Sequence, residues 1–527
     1  MRVLVTDNLD PICRTLLEEA GIEAAVHLKQ SPEELKAFAP KADGWIVRSG
    51  TKITADLIEV AQRLRVIGRA GVGVDNIDLA AATRRGILVL NAPDGNTVST
   101  AEHACAMMLA LARQIPQAAA SLKGGAWERA PFSGAELDGK TLGIVGVGKI
   151  GRAVARRMQS FGMRTIGFDP VLSPEAADRV GVELVDLAGL WAESEVITLH
   201  APLNDATRHL INDETLAACR EGVYVVNCAR GGIVDEAALL RGLESGQVGG
   251  AALDVYSQEP PPAALDDLVR HPRVVGTPHI AASTDEAQEK VARQVTQQVI
   301  EALHERPVST PVNAGAIRAA AQPEARPFID LADRLGRIVG QIAEGQVRRV
   351  TVRCYGETTR RYAEVLTVAA LRGILTRWSD QPVNLINAPA LAREMGLAVD
   401  EQRHSEPADF THLVEVALET DAGTRSVMGT VLGEDDARLV GLDRFRFEAK
   451  PEGHLLFYQN VDRPGMLATV GGLLAQAGIN IASLALGRDR PGETALTAIG
   501  VDEPVPRDVV RQVEAIEGVE DVRVVHV

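Results

Sequence analysis

An α/β chain is predicted, with two Rossmann-like doubly wound domains followed by an α+β domain and a ferredoxin-like domain. Three features predict it. Short apolar runs alternate with helical patterns over residues 1–95 and again over 141–276, the pattern of parallel sheets covered on both faces. A G-x-G-x-x-G loop, Gly146-Val147-Gly148-Lys149-Ile150-Gly151, stands between an apolar run and a helical pattern. Residues 453–527 read in the order β-α-β-β-α-β.

Taken in order, strands are expected at 3–5, 44–47, 66–68 and 88–90, with helix starts at Pro32 and Thr54. A long helix over 99–122 is expected to cross into the second domain, whose strands are 141–145, 164–168, 196–199, 224–227, 250–253 and 274–276. A helix over 284–306 is expected to cross back. The first domain is then discontinuous, 1–98 plus 284–312, and the second spans 99–283. Prolines 307, 311, 323 and 327 among alanines mark a linker, placed at 313–327. The third domain, 328–452, mixes helices with strands such as 349–354 and 413–417. The fourth, 453–527, has strands at 455–459, 481–487, 494–501 and 519–527, a turn at 490–492, and helices at 464–477 and 506–516. Gly478 is expected at the C-terminus of the first of these helices.

Composition sets limits. The 527 residues are 46% apolar and 24% charged, ordinary for a globular chain. Lys plus Arg number 55 and Asp plus Glu 71, a net charge of −16. Such a chain does not bind nucleic acid or an anionic membrane through bulk charge, so an anionic substrate needs a local arginine cluster. Five dispersed cysteines without a C-x-x-C argue against a disulfide framework and against structural zinc. A reducing cytoplasm is expected, with no metal and no membrane anchor, since 98–112 is too short to span a bilayer.

The loop carries explicit chemistry. Gly146 permits a tight turn, Gly148 admits the pyrophosphate of a dinucleotide, and Gly151 lets helix and strand pack closely. The helix that follows offers free N–H groups and the positive end of its dipole. Asp169 ends the next strand, where its carboxylate accepts ribose hydroxyls and repels a 2′-phosphate, so NAD is expected over NADP.

Three side chains follow later strands of the same domain: Arg230, Glu259 and His279. An imidazole carries protons near neutral pH, a neighbouring carboxylate orients it, and a guanidinium clamps a substrate carboxylate. Singly, each also reads as an ordinary loop residue; jointly they suggest a proton-transfer site.

At these segments, together with Gly68-Arg69-Ala70-Gly71-Val72-Gly73-Val74-Asp75-Asn76 and Asn91-Ala92-Pro93, the sequence resembles the D-isomer-specific 2-hydroxyacid dehydrogenases. The resemblance implies that His279 is the general acid/base, Glu259 its partner and Arg230 the substrate anchor. It implies Arg48, Ser49, Arg69, Asn96 and Arg129 on the substrate side, with Arg129 supplied by a neighbouring subunit. Around NAD it implies Val72, Lys149, Ile150, Asp169, Ala201, Cys228, Ala229, Asp254, Ala281 and Ala282. Val461-Asp462-Arg463-Pro464-Gly465 and Ala477-Gly478-Ile479-Asn480-Ile481 resemble an ACT regulatory domain, which implies serine bound by Asn460, Asp462 and Asn480. Residues 328–452 are then the intervening domain of the long dehydrogenases. The implied reaction is NAD-dependent oxidation of D-3-phosphoglycerate to 3-phosphohydroxypyruvate, the first step of serine synthesis, in a dimer or tetramer open to serine inhibition. The rivals are a dehydrogenase of glycerate, lactate or 2-hydroxyglutarate, an NAD-sensing binding protein, and an amino-acid-sensing scaffold.

Overall fold

The structure, a computed structural model, describes residues 1–527 except 321, 380, 406–409, 489 and 491, and except the side chain of Arg318. The chain forms two compact units, Met1–Asn91 with Val295–Val527, and Ala92–Gln294.

The first unit opens with a five-stranded parallel sheet in the order Glu23–Val26, Arg2–Val5, Gly44–Val47, Val66–Arg69, Leu88–Asn91. Gly44–Val47 is buried at every residue, which explains its continuous apolar run. The helix over Pro32–Phe38 starts where Ser31 and Glu34 form a reciprocal capping box. Residues 310–313 return to this sheet: Val312 N–H donates to Val89 O at 2.8 Å, and Asn313 Oδ1 accepts Val89 N–H at 2.9 Å.

The remainder of this unit holds two further sheets. Six strands run in the order Ala398–His404, Val347–Tyr355, Leu413–Thr420, Gly423–Leu432, Asp436–Leu442, Phe445–Ala449, and the first pair is parallel. Four antiparallel strands run in the order Ile481–Arg488, Thr494–Val501, His454–Val461, Val519–His526, the ferredoxin-like arrangement. The two share one apolar cluster: Leu455, Phe457, Leu496, Ala498 and Val525 pack in the same core as Leu335, Leu366 and Val416. The opposite face of the four-stranded sheet, with Leu456 and Tyr458, packs under helices Met466–Gln476 and Arg507–Glu514. Gly478 takes φ +72 just past the first of these helices and donates to Ala475 O. The turn expected at 490–492 includes Pro491, which lies outside the described residues.

The second unit is a seven-stranded parallel sheet in the order Val274–Gly276, Val248–Leu253, Val223–Asn227, Val196–Leu199, Thr141–Val145, Arg164–Phe168, Glu183–Leu184. Strand order reverses between Thr141–Val145 and Val196–Leu199, the switch point at which open sheets of this kind bind ligands.

Three expectations need correction. The helix over 99–122 is two helices, Thr97–Ala112 and Ile115–Lys123, because Gln114 adopts φ +49 and Pro116 has no N–H to continue the ladder. The stretch 313–327 carries the helix Gly315–Ala320 and a 3₁₀ turn at Pro323–Ala325, since its alanines favour helix between the prolines. The edge strands Glu23–Val26 and Glu183–Leu184 were not expected. Among the described residues no helix is long and apolar enough to cross a membrane.

Candidate active site

The second unit builds its site on the C-terminal ends of its strands. Strand Thr141–Val145 is wholly buried and leads into Gly146, whose φ of +88 is open to glycine at little cost. A Cβ at Gly146 would lie 2.6 Å from the His200 carbonyl oxygen, and one at Gly151 would lie 2.2 Å from the Gly146 carbonyl oxygen. Tight packing therefore demands glycine at both. A Cβ at Gly148 would meet nothing within 4 Å, so that position faces open space directly before helix Lys149–Gln159.

Asp169 stands beside this loop. Its Oδ2 accepts Val147 N–H at 3.0 Å, and its Oδ1 accepts Val171 N–H at 2.9 Å and Leu172 N–H at 3.1 Å. The carboxylate is thereby fixed at the tip of strand Arg164–Phe168. Lys149 pairs with Asp94. At the start of helix Thr97–Ala112, Asn96 Oδ1 is buried and has no hydrogen-bond partner. A glycine cradle open at its centre and a helix N-terminus beside it fit a dinucleotide.

The two candidates for proton transfer, His279 and Glu259, are in contact. His279 Nδ1 lies 2.6 Å from Glu259 Oε2, and the two side chains are 46% and 37% exposed, within reach of a ligand. The other carboxylate oxygen, Oε1, accepts Tyr256 N–H at 3.2 Å, which fixes the acid. His279 adopts φ +54, a backbone region non-glycine residues seldom occupy. It is held there by its own N–H, which donates to Asp254 O at 2.8 Å.

Asp254 is the anchor beneath that loop. It is fully buried, and its Oδ1 accepts Thr277 Oγ1–H at 2.6 Å and Ile280 N–H at 2.8 Å, while its Oδ2 accepts Ala281 N–H at 2.9 Å. Burial alone would raise this carboxyl. Hydrogen bonds from His103, Thr277 and the two backbone N–H groups outweigh it and hold the group below the ordinary carboxylate range.

Arg230 stands on a turn knotted by the buried Asn227, which accepts Ala229 N–H at 3.0 Å and donates to Arg230 O at 2.8 Å. Arg230 Nη1 donates to Ala229 O at 2.7 Å. The 229–232 turn packs tightly on the loop that leads to Glu259, since a Cβ at Gly231 would lie 1.9 Å from the Tyr256 carbonyl carbon. Cys228 is buried, and burial first, with the Asp254 charge behind it, pushes its thiol far up.

The remaining predicted residues fall as follows. Ala201 follows strand Val196–Leu199, and Ala282 O accepts a bond from Gln288 at 2.7 Å. Ile150 is the second residue of helix Lys149–Gln159. In the first unit, the Asp7 carboxylate holds the Arg48 and Thr51 N–H groups, and Ser49 is exposed. Burial lowers the Arg48 guanidinium against the opposing pull of Asp7. Val72 O accepts Asn91 Nδ2–H at 2.7 Å, and Arg69 donates to Ala70 O at 3.5 Å. Arg129 is exposed beside Trp127, itself 79% exposed. In the four-stranded sheet, Asp462 accepts from Arg488 and from Gly492 N–H, each at 3.2 Å, and Asn480 donates to Asp502 at 2.6 Å. Asn460 is 5% exposed, and its amide is engaged by Thr497 and by Val461 O. By strand alternation it lies on the face shared with Leu456 and Tyr458, the face packed under the two helices.

Asn227 and His103 were not singled out from the sequence. A polar residue ending an apolar strand was the available signal for Asn227; nothing local marks His103.

Comparison with known proteins defines the class. The family model of the NAD binding domain of D-isomer specific 2-hydroxyacid dehydrogenases matches residues 105–281. A solved D-lactate dehydrogenase from Aquifex aeolicus, complexed with NAD and lactic acid, is 28% identical with a TM-score of 0.52, covering 58% of this chain and 96% of that one. The protein is an NAD-dependent dehydrogenase. Models of the D-3-phosphoglycerate dehydrogenase intervening domain and of the ACT domain match 324–443 and 454–518. D-3-phosphoglycerate dehydrogenase from Homo sapiens is 45% identical over 507 residues, 94% of this chain and 93% of that protein. The Methanocaldococcus jannaschii enzyme of the same name is 40% identical over 528 residues, the full length of both. The chain belongs to the D-3-phosphoglycerate dehydrogenase family.

Proposed function

We propose that the protein oxidises D-3-phosphoglycerate to 3-phosphohydroxypyruvate, the entry step to serine. The observation that carries the reading is the His279–Glu259 pair at 2.6 Å, on the same unit as the dinucleotide cradle. Bound NAD supplies the acceptor for the C2 hydride. Because His279 Nδ1 is turned to Glu259, Nε2 is the atom that takes the substrate hydroxyl proton, and in reverse returns it to the keto oxygen. Glu259 holds the ring and balances the charge it acquires. Arg230 clamps the carboxylate. Arg48, Ser49, Arg69, Asn96 and Arg129 serve the substrate, with the arginines assigned to its phosphate.

Asp462 and Asn480, which reach the surface of the ACT domain, are assigned to serine; the burial of Asn460 removes it from direct contact. The exposed Ile115, Leu122 and Trp127 support a homodimer, and the exposed edge residues Leu484 and Leu486 support pairing of ACT domains into a tetramer. Five free, buried cysteines suit a reducing cytoplasm.

The test follows NADH consumption with phosphohydroxypyruvate and with unphosphorylated hydroxypyruvate, each with and without serine. The reading requires a large preference for the phosphorylated acid. Equal turnover of both would assign a different 2-hydroxy acid, and no turnover of either would favour the NAD-sensing rival.

A further inference from the structure

We propose that His103 is a positioning residue of the catalytic loop, acting through Asp254 and Thr277 to hold His279 in its reactive place. The inference rests on the function proposed above for His279. His103 projects from helix Thr97–Ala112, far in sequence from the loop, yet its Nε2 lies 3.2 Å from Thr277 Oγ1 and 3.3 Å from Asp254 Oδ1. Its side chain is 18% exposed and that of Asp254 not at all.

The proton at this junction can be placed. A threonine hydroxyl has one proton, and Thr277 gives it to the Asp254 carboxylate at 2.6 Å. The carboxylate only accepts. His103 Nε2 must therefore carry a hydrogen and donate it toward both oxygens. The buried carboxylate gathers this bond, the hydroxyl, and the N–H groups of Ile280 and Ala281, the two residues that follow His279. The carbonyl of the same Asp254 takes the His279 N–H. One buried carboxylate thus ties helix Thr97–Ala112 to a loop whose histidine sits at an unfavourable φ. Without the His103 donor, a buried charge loses one of its partners, and the loop it pins gains freedom.

His103→Phe keeps the ring volume and removes the donor; His103→Gln replaces ring with amide and restores an N–H. In the full-length protein, with phosphohydroxypyruvate and NADH, the Phe variant is expected to lose about 10-fold in kcat with the NADH Kd little changed and the melting temperature lowered, and the Gln variant to recover both kcat and melting temperature. The Gln variant is expected to lie within about 3-fold of the parent. Hydrogen exchange reads the same tie without turnover: the amides of Ile280 and Ala281 should exchange about 10-fold faster in the Phe variant and near the parental rate in the Gln variant. Parental kcat and exchange in the Phe variant overturn the proposal, and so does a Gln variant as impaired as the Phe variant. A parent without turnover removes the proposed function, and the exchange measurement still decides the tie.

Discussion

The Nδ1 of His279 and the Oε2 of Glu259 stand 2.6 Å apart, and the other oxygen of that carboxylate is fixed by the Tyr256 N–H. The acid thus engages Nδ1, and in the proposed reaction Nε2 is the ring nitrogen left to exchange a proton with substrate. Glu259→Gln keeps the size of the side chain and removes its charge. We expect kcat to fall about 10- to 100-fold while the KM for NADH stays within about 2-fold. Steady-state kinetics in the direction of phosphohydroxypyruvate reduction checks this. An unaltered kcat would show that the pair is not used.

Arg230→Lys tests the clamp. Lysine keeps the charge but loses the planar fork that grips a carboxylate through two parallel bonds. We expect kcat/KM for the oxo acid to fall by about 100-fold, with NADH affinity, read by fluorescence titration, nearly unchanged.

The two glycines of the cradle should separate folding from binding. Gly148→Ala adds a methyl group into open space, so its melting temperature should match the parent while NADH binds at least about 10-fold more weakly. Gly151→Ala drives a Cβ toward the Gly146 carbonyl and should cost about 1–3 kcal/mol of stability. Thermal melts and NADH titrations on both variants give the comparison.

His200, with Nε2 2.9 Å from Thr198 Oγ1, is pushed by burial down to about 4. The unfolded imidazole titrates near ~6.5, so between these values the unfolded chain binds more protons. Stability is therefore full above the unfolded value and is lost as the pH falls toward the folded one. Moving from about pH 7 to about pH 5 should cost the second unit roughly 1–2 kcal/mol through this group. His200→Gln, melted at both pH values, should show a smaller drop than the parent.

The strands that carry the site are legible because parallel strands buried on both faces write continuous apolar runs, as in Thr141–Val145 and Val196–Leu199. Glu23–Val26 and Glu183–Leu184 lie at sheet edges, where one apolar face suffices and a short polar-led run leaves no such mark. The G-x-G-x-x-G loop and the three catalytic candidates could be named because each follows a strand end. The burial of Asn460 was also readable: it shares its strand parity with Leu456 and Tyr458, which face the core. The His103–Asp254 contact was not readable, because it depends on how a helix lies against a strand end distant in the chain.

In the proposed reaction His279 moves the proton while other residues hold the cofactor. His279→Ala and the parent should be compared in NADH oxidation by phosphohydroxypyruvate, alongside NADH titration of both proteins. Turnover is expected to fall by at least about 100-fold while the NADH Kd stays within about 3-fold. Turnover near the parental rate, or equal loss of turnover and NADH binding, would contradict that role.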